Sequence, residues 1–128
     1  MSPPRRGEIY YVAFRSVGPR EISGPHPALV VQNDVANRVS HLTIVAAITT
    51  NPRIAELPVG VRVSPEDSGL PRPSVIHLGQ LHTVDHIRLE RRIGRLSSLK
   101  MREVEQALRV SLGFSPFGSQ EKGAVRPN

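Results

Sequence analysis

Ala28-Leu-Val-Val-Gln32 and Leu42-Thr-Ile-Val-Ala-Ala-Ile48 are near-continuous apolar runs rich in β-branched residues. They read as strands buried on both faces, of the kind found at the centre of a small barrel. Between them, Asn33-Asp-Val-Ala-Asn-Arg38 is turn chemistry with room for one helical turn. Upstream, Ile9-Tyr-Tyr-Val-Ala-Phe14 is a third β-prone run, preceded by Arg5, Arg6 and Gly7. Residues 15–27 hold Gly18, Pro19, Gly24, Pro25 and Pro27 and read as a long connection. On a small scaffold such a loop usually carries function.

Downstream, Leu57 to Val63 alternates weakly around Pro58 and Gly60, which predicts an edge strand. Pro65 to Pro73 reads as a loop, and Ser74-Val-Ile-His-Leu-Gly-Gln-Leu81 as a strand. The charged segment Asp85–Arg95, with Ile87, Leu89 and Ile93, predicts a short helical turn and one more strand. One long helix is expected from Ser97 to Leu112, because Met101, Val104, Ala107, Leu108 and Leu112 form an apolar stripe. Ser97 or Ser98 can cap its start and Gly113 can close its end. Residues 1–113 then make the domain, and Phe114 to Asn128 reads as a disordered tail. Five or six short strands and one helix imply a mainly β protein with α, a strongly bent sheet or half-open barrel carrying a helix.

The 128 residues suit a single domain, and a chain 38% hydrophobic and 22% charged can bury one modest core. Without Cys there is no disulfide framework, thiolate metal site or cysteine nucleophile. No window has the roughly 18 apolar residues of a membrane span, and no signal-peptide core follows Met1, so a cytoplasmic protein is expected. The net charge is +6, and fifteen of the seventeen cationic side chains are Arg. Arg suits bidentate phosphate contacts and stacking on bases, which favours nucleic acid as partner. Genomic base composition is the competing explanation of the same bias.

Most catalytic motifs are absent: no phosphate-binding glycine loop, no H-E-x-x-H, no G-x-S-x-G. His82 and His86 have metal-compatible spacing, but no third ligand lies near them in sequence, so no metal or other cofactor is expected. What remains is His, Thr, Ser and Gln at strand ends. His26 lies between Pro25 and Pro27, whose fixed φ would hold a titratable side chain at a strand's mouth. Thr49 follows the apolar run at residues 42–48, where the chain leaves the core. Ser74 and Gln80 share strand parity and would face one groove if no bulge intervened. On spacing alone, an ordinary loop or strand-end residue is the favoured reading of His26 and Thr49, and Ser74 or Gln80 could as easily be solvated.

Several blocks together resemble the MazF/PemK (Kid) toxin family. They are Arg6-Gly-Glu-Ile-Tyr-Tyr11, Gly24-Pro-His-Pro-Ala-Leu-Val-Val-Gln-Asn-Asp-Val-Ala-Asn-Arg38, Val45-Ala-Ala-Ile-Thr49, Ser74-Val-Ile-His-Leu-Gly-Gln-Leu-His-Thr-Val-Asp85 and Ile93-Gly-Arg-Leu96. The closing helix with Ala107-Leu-Arg-Val-Ser-Leu112 continues the register. The resemblance implies an SH3-like barrel (PemK/CcdB-like) with a C-terminal helix, acting as a homodimer. It implies the toxin of a type II toxin–antitoxin system: a sequence-specific, metal-independent endoribonuclease on single-stranded RNA, blocked by a cognate MazE-like antitoxin. In that chemistry the RNA 2′-hydroxyl attacks the adjacent phosphate and leaves cyclic phosphate and 5′-hydroxyl ends.

Residue by residue, the resemblance gives Thr49 a catalytic role, and His26 stands where the family has a catalytic Arg. The RNA-contacting positions fall on Glu21, Gln32, Leu57, Ser74, Gln80 and His82, of which His82 again replaces an Arg. The acidic residue that precedes the Gln in the family is Gly79 here. Two other readings stay open: a degenerate member that binds RNA or antitoxin without cutting, and, because the barrel resembles that of CcdB, a gyrase poison.

Overall fold

A computed structural model describes residues 2–15 and 24–116 of the chain. Six strands form one antiparallel sheet: β1 Glu8–Phe14, β2 Gly24–Val30, β3 Leu42–Thr49, β4 Gly60–Val63, β5 Ser74–Asp85 and β6 Leu89–Arg95. Their spatial order is β4-β5-β3-β2-β1-β6. The helices are α1 Asp34–Val39, α2 Pro65–Ser68 and α3 Ser98–Ser111, with 3-10 turns at Pro52–Glu56 and His86–Arg88. The sheet curls into a half-barrel with α3 on one face, as the strand pattern predicts.

Both faces of the central strands are buried, which is why their sequences lack polar alternation. Leu29, Ala46, Ile48, Ile76 and Leu78 pack with Val104, Ala107 and Val110 of α3. Val12, Ala28, Val30, Val45 and Val84 fill the opposite face with Phe14. Along α3 the buried positions are Val104, Ala107 and Val110, whereas Leu112 is 56% exposed, so the expected stripe stops short of it. Ser111 instead donates to the Leu78 carbonyl at 2.7 Å and ties the last turn to the sheet. Ser97 caps the helix through Lys100 N–H, and Gly113 leaves it with φ +85°.

Four local expectations are corrected. β2 starts at Gly24, so His26 lies within a strand. Its prolines are tolerated because β1 pairs with Pro25 and Pro27 while the β3 ladder begins only at Ala28. The edge strand starts at Gly60, after the 3-10 turn, where a Cβ would stand 2.1 Å from the Ile54 carbonyl oxygen. Residues 65–68 form α2, closed by a reciprocal capping box between Ser64 and Asp67. β5 continues to Asp85 through a bulge: Ala46 pairs with Leu81, but its neighbour Ala47 pairs with His77.

Candidate active site

Pairing of β2 with β3 sets Ala28 opposite Ala47. Carried two residues further, the same register sets His26 opposite Thr49, at the end of the sheet where the two strands part. A pocket of about 270 Å³ opens there, and His26, Thr49 and Ser74 all line it. Tyr11, Thr50, Leu70, Pro71 and Arg72 complete most of the wall. Three candidate residues from distant parts of the sequence therefore meet in one hollow.

The hydroxyl groups have different duties. Thr49 Oγ1 accepts the Asn51 N–H at 3.1 Å, which leaves its own proton available to donate into the pocket. Ser74, only 7% exposed, donates its proton to the Arg72 carbonyl at 3.0 Å. Ser74 thus fixes the backbone of an exposed arginine beside the pocket. Tyr11 contributes a flat ring, with the Arg91 guanidinium 5.2 Å from its centroid.

The other candidates lie elsewhere. Gln80 falls within the β5 bulge, so it does not share a face with Ser74; its Oε1 lies 3.4 Å from His82 Nε2. The His82 ring packs on Phe14 with centroids 4.8 Å apart. Gln32 lies two residues beyond the end of β2, where its amide donates to Asn37 Oδ1 and to the Leu42 carbonyl, both at 2.9 Å. Leu57 ends the 3-10 turn before β4 and is exposed. Glu21 lies outside the described residues, as do residues 117–128 of the expected tail. Among the described residues, no three His, Asp or Glu side chains converge as a metal site. No described helix is long and apolar enough to cross a membrane.

A larger hollow of about 610 Å³ opens at the opposite end of β3, lined by Tyr10, Arg38, His41, His86, Glu90 and Arg92 among others. Two of its groups are committed to each other through Glu8, whereas His86 Nε2 is buried without a hydrogen-bond partner among the described residues. Arg92 is paired with Glu8 at 3.2 Å. Burial and a 3.0 Å hydrogen bond to Glu8 push the Tyr10 phenol up to about 12. The candidate site is placed at the smaller pocket because His26, Thr49 and Ser74 meet there, with Arg72 beside them.

Sequence reasoning missed Tyr11, Thr50 and Arg72. The signal for Arg72 was on the page, since Pro71-Arg72-Pro73 repeats the proline-flanked arrangement of Pro25-His26-Pro27.

A half-barrel with a C-terminal helix and a pocket at the parting of two central strands is the architecture that the resemblance to the barrel toxins of bacterial toxin–antitoxin systems implies. The family model described as "PemK-like, MazF-like toxin of type II toxin-antitoxin system" matches residues 5–112, and the chain belongs to that family. It is 40% identical over 113 residues to endoribonuclease EndoA of Bacillus subtilis, covering 88% of this chain and 97% of the relative. It is 39% identical over 113 residues to endoribonuclease MazF of Staphylococcus epidermidis, covering 88% and 94%. A solved endoribonuclease in complex with its cognate antitoxin, from a Mycobacterial species, superposes with a TM-score of 0.72 at 25% identity, covering 88% of this chain and 97% of that one.

Proposed function

We propose that this toxin endoribonuclease cuts single-stranded RNA at a specific short sequence, without a metal, using the pocket shared by His26 and Thr49. The shared pocket is the observation that carries the reading. The 2′-oxygen attacks the adjacent phosphorus, a new O–P bond forms, and the P–O5′ bond breaks. One proton leaves the 2′-hydroxyl and one reaches the departing 5′-oxygen, which yields a cyclic phosphate and a 5′-hydroxyl. The imidazole of His26 is a side chain able to accept the first proton or supply the second. The Thr49 hydroxyl, with its lone pair already engaged by Asn51, donates to a phosphorane oxygen. Tyr11 offers a stacking surface for a neighbouring base. An adjoining hollow of about 340 Å³, which shares Thr50 and Ser74 with the pocket and reaches Arg62, extends the path along the backbone.

The protein acts in the cytoplasm as a homodimer, and a MazE-like antitoxin silences it by occupying the RNA path. Support for the antitoxin is family membership and the solved antitoxin complex of a Mycobacterial relative.

The test is incubation of the purified protein with a long single-stranded RNA in EDTA, followed by mapping of the ends. Discrete 5′-hydroxyl ends at one recurring sequence are expected. Intact RNA with retained binding would make the chain a non-cutting RNA-binding member, and DNA breaks by gyrase in place of RNA cleavage would favour the CcdB-like alternative.

A further inference from the structure

The attack on phosphorus builds negative charge on the non-bridging oxygens, and an imidazole is not a permanent cation above its ordinary titration range. Of the residues that line the pocket, Arg72 alone carries a permanent charge, and no carboxylate lines it. Among the described residues no ion pair engages Arg72. Its backbone is held on three sides: Pro71 precedes it, Pro73 follows it, and the buried Ser74 hydroxyl bonds its carbonyl at 3.0 Å. Fixed φ angles on both flanks reduce the backbone freedom that remains to be lost when the arginine engages a ligand. A guanidinium also presents paired N–H donors that match two phosphate oxygens.

We propose that Arg72 is the fixed cation of the reaction, with its guanidinium on the two non-bridging oxygens of the scissile phosphate and the contact tightening as charge develops. This rests on the reading of His26 and Thr49 as the cleavage site. Ser74 is then a positioning residue that acts through the Arg72 backbone.

The experiment measures kcat and KM separately on a short RNA containing the mapped cleavage site, for the wild type, Arg72→Ala, Arg72→Gln, Arg72→Lys and the distant Arg109→Ala. Arg72→Ala should lower kcat about a hundredfold, in the range seen when one transition-state donor is lost, with KM changed much less. Arg72→Lys should regain part of kcat, because it restores charge without the planar fork. Arg109→Ala, on the exposed side of α3, should leave kcat unchanged. Thermal melts accompany every variant; if the Ala variant melts early, Arg72→Gln, which keeps a polar stem, decides. A rise in KM at constant kcat would overturn the proposal, since Arg72 would then only track the backbone. An equal loss in Arg109→Ala would overturn it too, as a global charge effect. Unchanged cleavage by the Arg72 variants beside an active wild type overturns this inference alone, whereas a wild type that leaves RNA intact overturns the cleavage reading and this inference with it.

Discussion

Thr49 is a β-branched residue at a strand end, which on propensity alone would need no explanation. Its placement does: the hydroxyl oxygen accepts a backbone N–H from Asn51 and the side chain stands in the His26 pocket. Thr49→Val keeps the shape and removes the donor. Loss of one such contact to a developing oxyanion costs about 2.7–4 kcal/mol of transition-state stabilisation. Cleavage should therefore fall on the order of a hundredfold or more, while RNA affinity, read by fluorescence anisotropy, stays close to that of the wild type. A parallel fall in binding and cutting would make Thr49 a substrate-positioning group only. His26, Thr49 and Ser74 were visible in the sequence because they adjoin strong apolar runs or family-like blocks. Arg72 carried only its proline flanks as a signal, and an arginine in a proline-rich connection resembles any solvated loop until the fold brings that connection to the pocket between β2 and β3.

Strand β5 shows how an element can defeat parity. Period-two counting places Ser74 and Gln80 on one face, but the bulge between the His77 and Leu81 pairings turns the later residues over. Nothing in the run Ser74–Leu81 marks the extra residues except Gly79, where a Cβ would lie 2.8 Å from the His77 ring. The capping box of α2 was legible in Ser64-Pro-Glu-Asp67, yet four residues are too few for a periodic signal. The central strands and α3 were legible because their burial is long and regular. The bulge also has a titratable lock. His77 Nδ1 accepts the Gly79 N–H at 3.1 Å, and burial holds its imidazole below the usual value of 6.5. Between that lowered value and 6.5 the unfolded chain binds more protons than the folded one, so stability present above about pH 6.5 is lost as pH falls through the folded value. Protonation at Nδ1 would in addition cancel the acceptor that closes the bulge. His77→Asn supplies an acceptor without titrating. Melting temperatures followed from pH 7.5 downward should show a shallower decline for the variant than for the wild type; identical slopes would remove His77 from the acid response.

For the whole molecule the governing quantity is charge. A net +6 carried almost entirely by Arg makes the surface a poor resting place for other cations and a good one for polyanions. Two kinds of polyanion matter to a toxin of this family: the RNA backbone and an acidic segment of an antitoxin. If both are held by the same pocket and the adjoining hollow, with Arg72 and Arg62 on their walls, they must compete and respond alike to ionic strength. Each phosphate neutralised on a single strand contributes about −0.7 to the slope of log affinity against log salt. Two such contacts, one for each arginine, predict a loss of affinity of about sevenfold between 50 and 200 mM salt. Anisotropy titrations of a labelled, uncleavable RNA analogue should show that loss, and an acidic antitoxin peptide should displace the RNA with a midpoint that weakens over the same salt range. A ternary complex in which RNA keeps its full affinity would place the antitoxin on another face. A salt-independent RNA affinity would mean that the arginines are solvated ornament on the barrel and that recognition rests on bases stacked against apolar surface such as Tyr11.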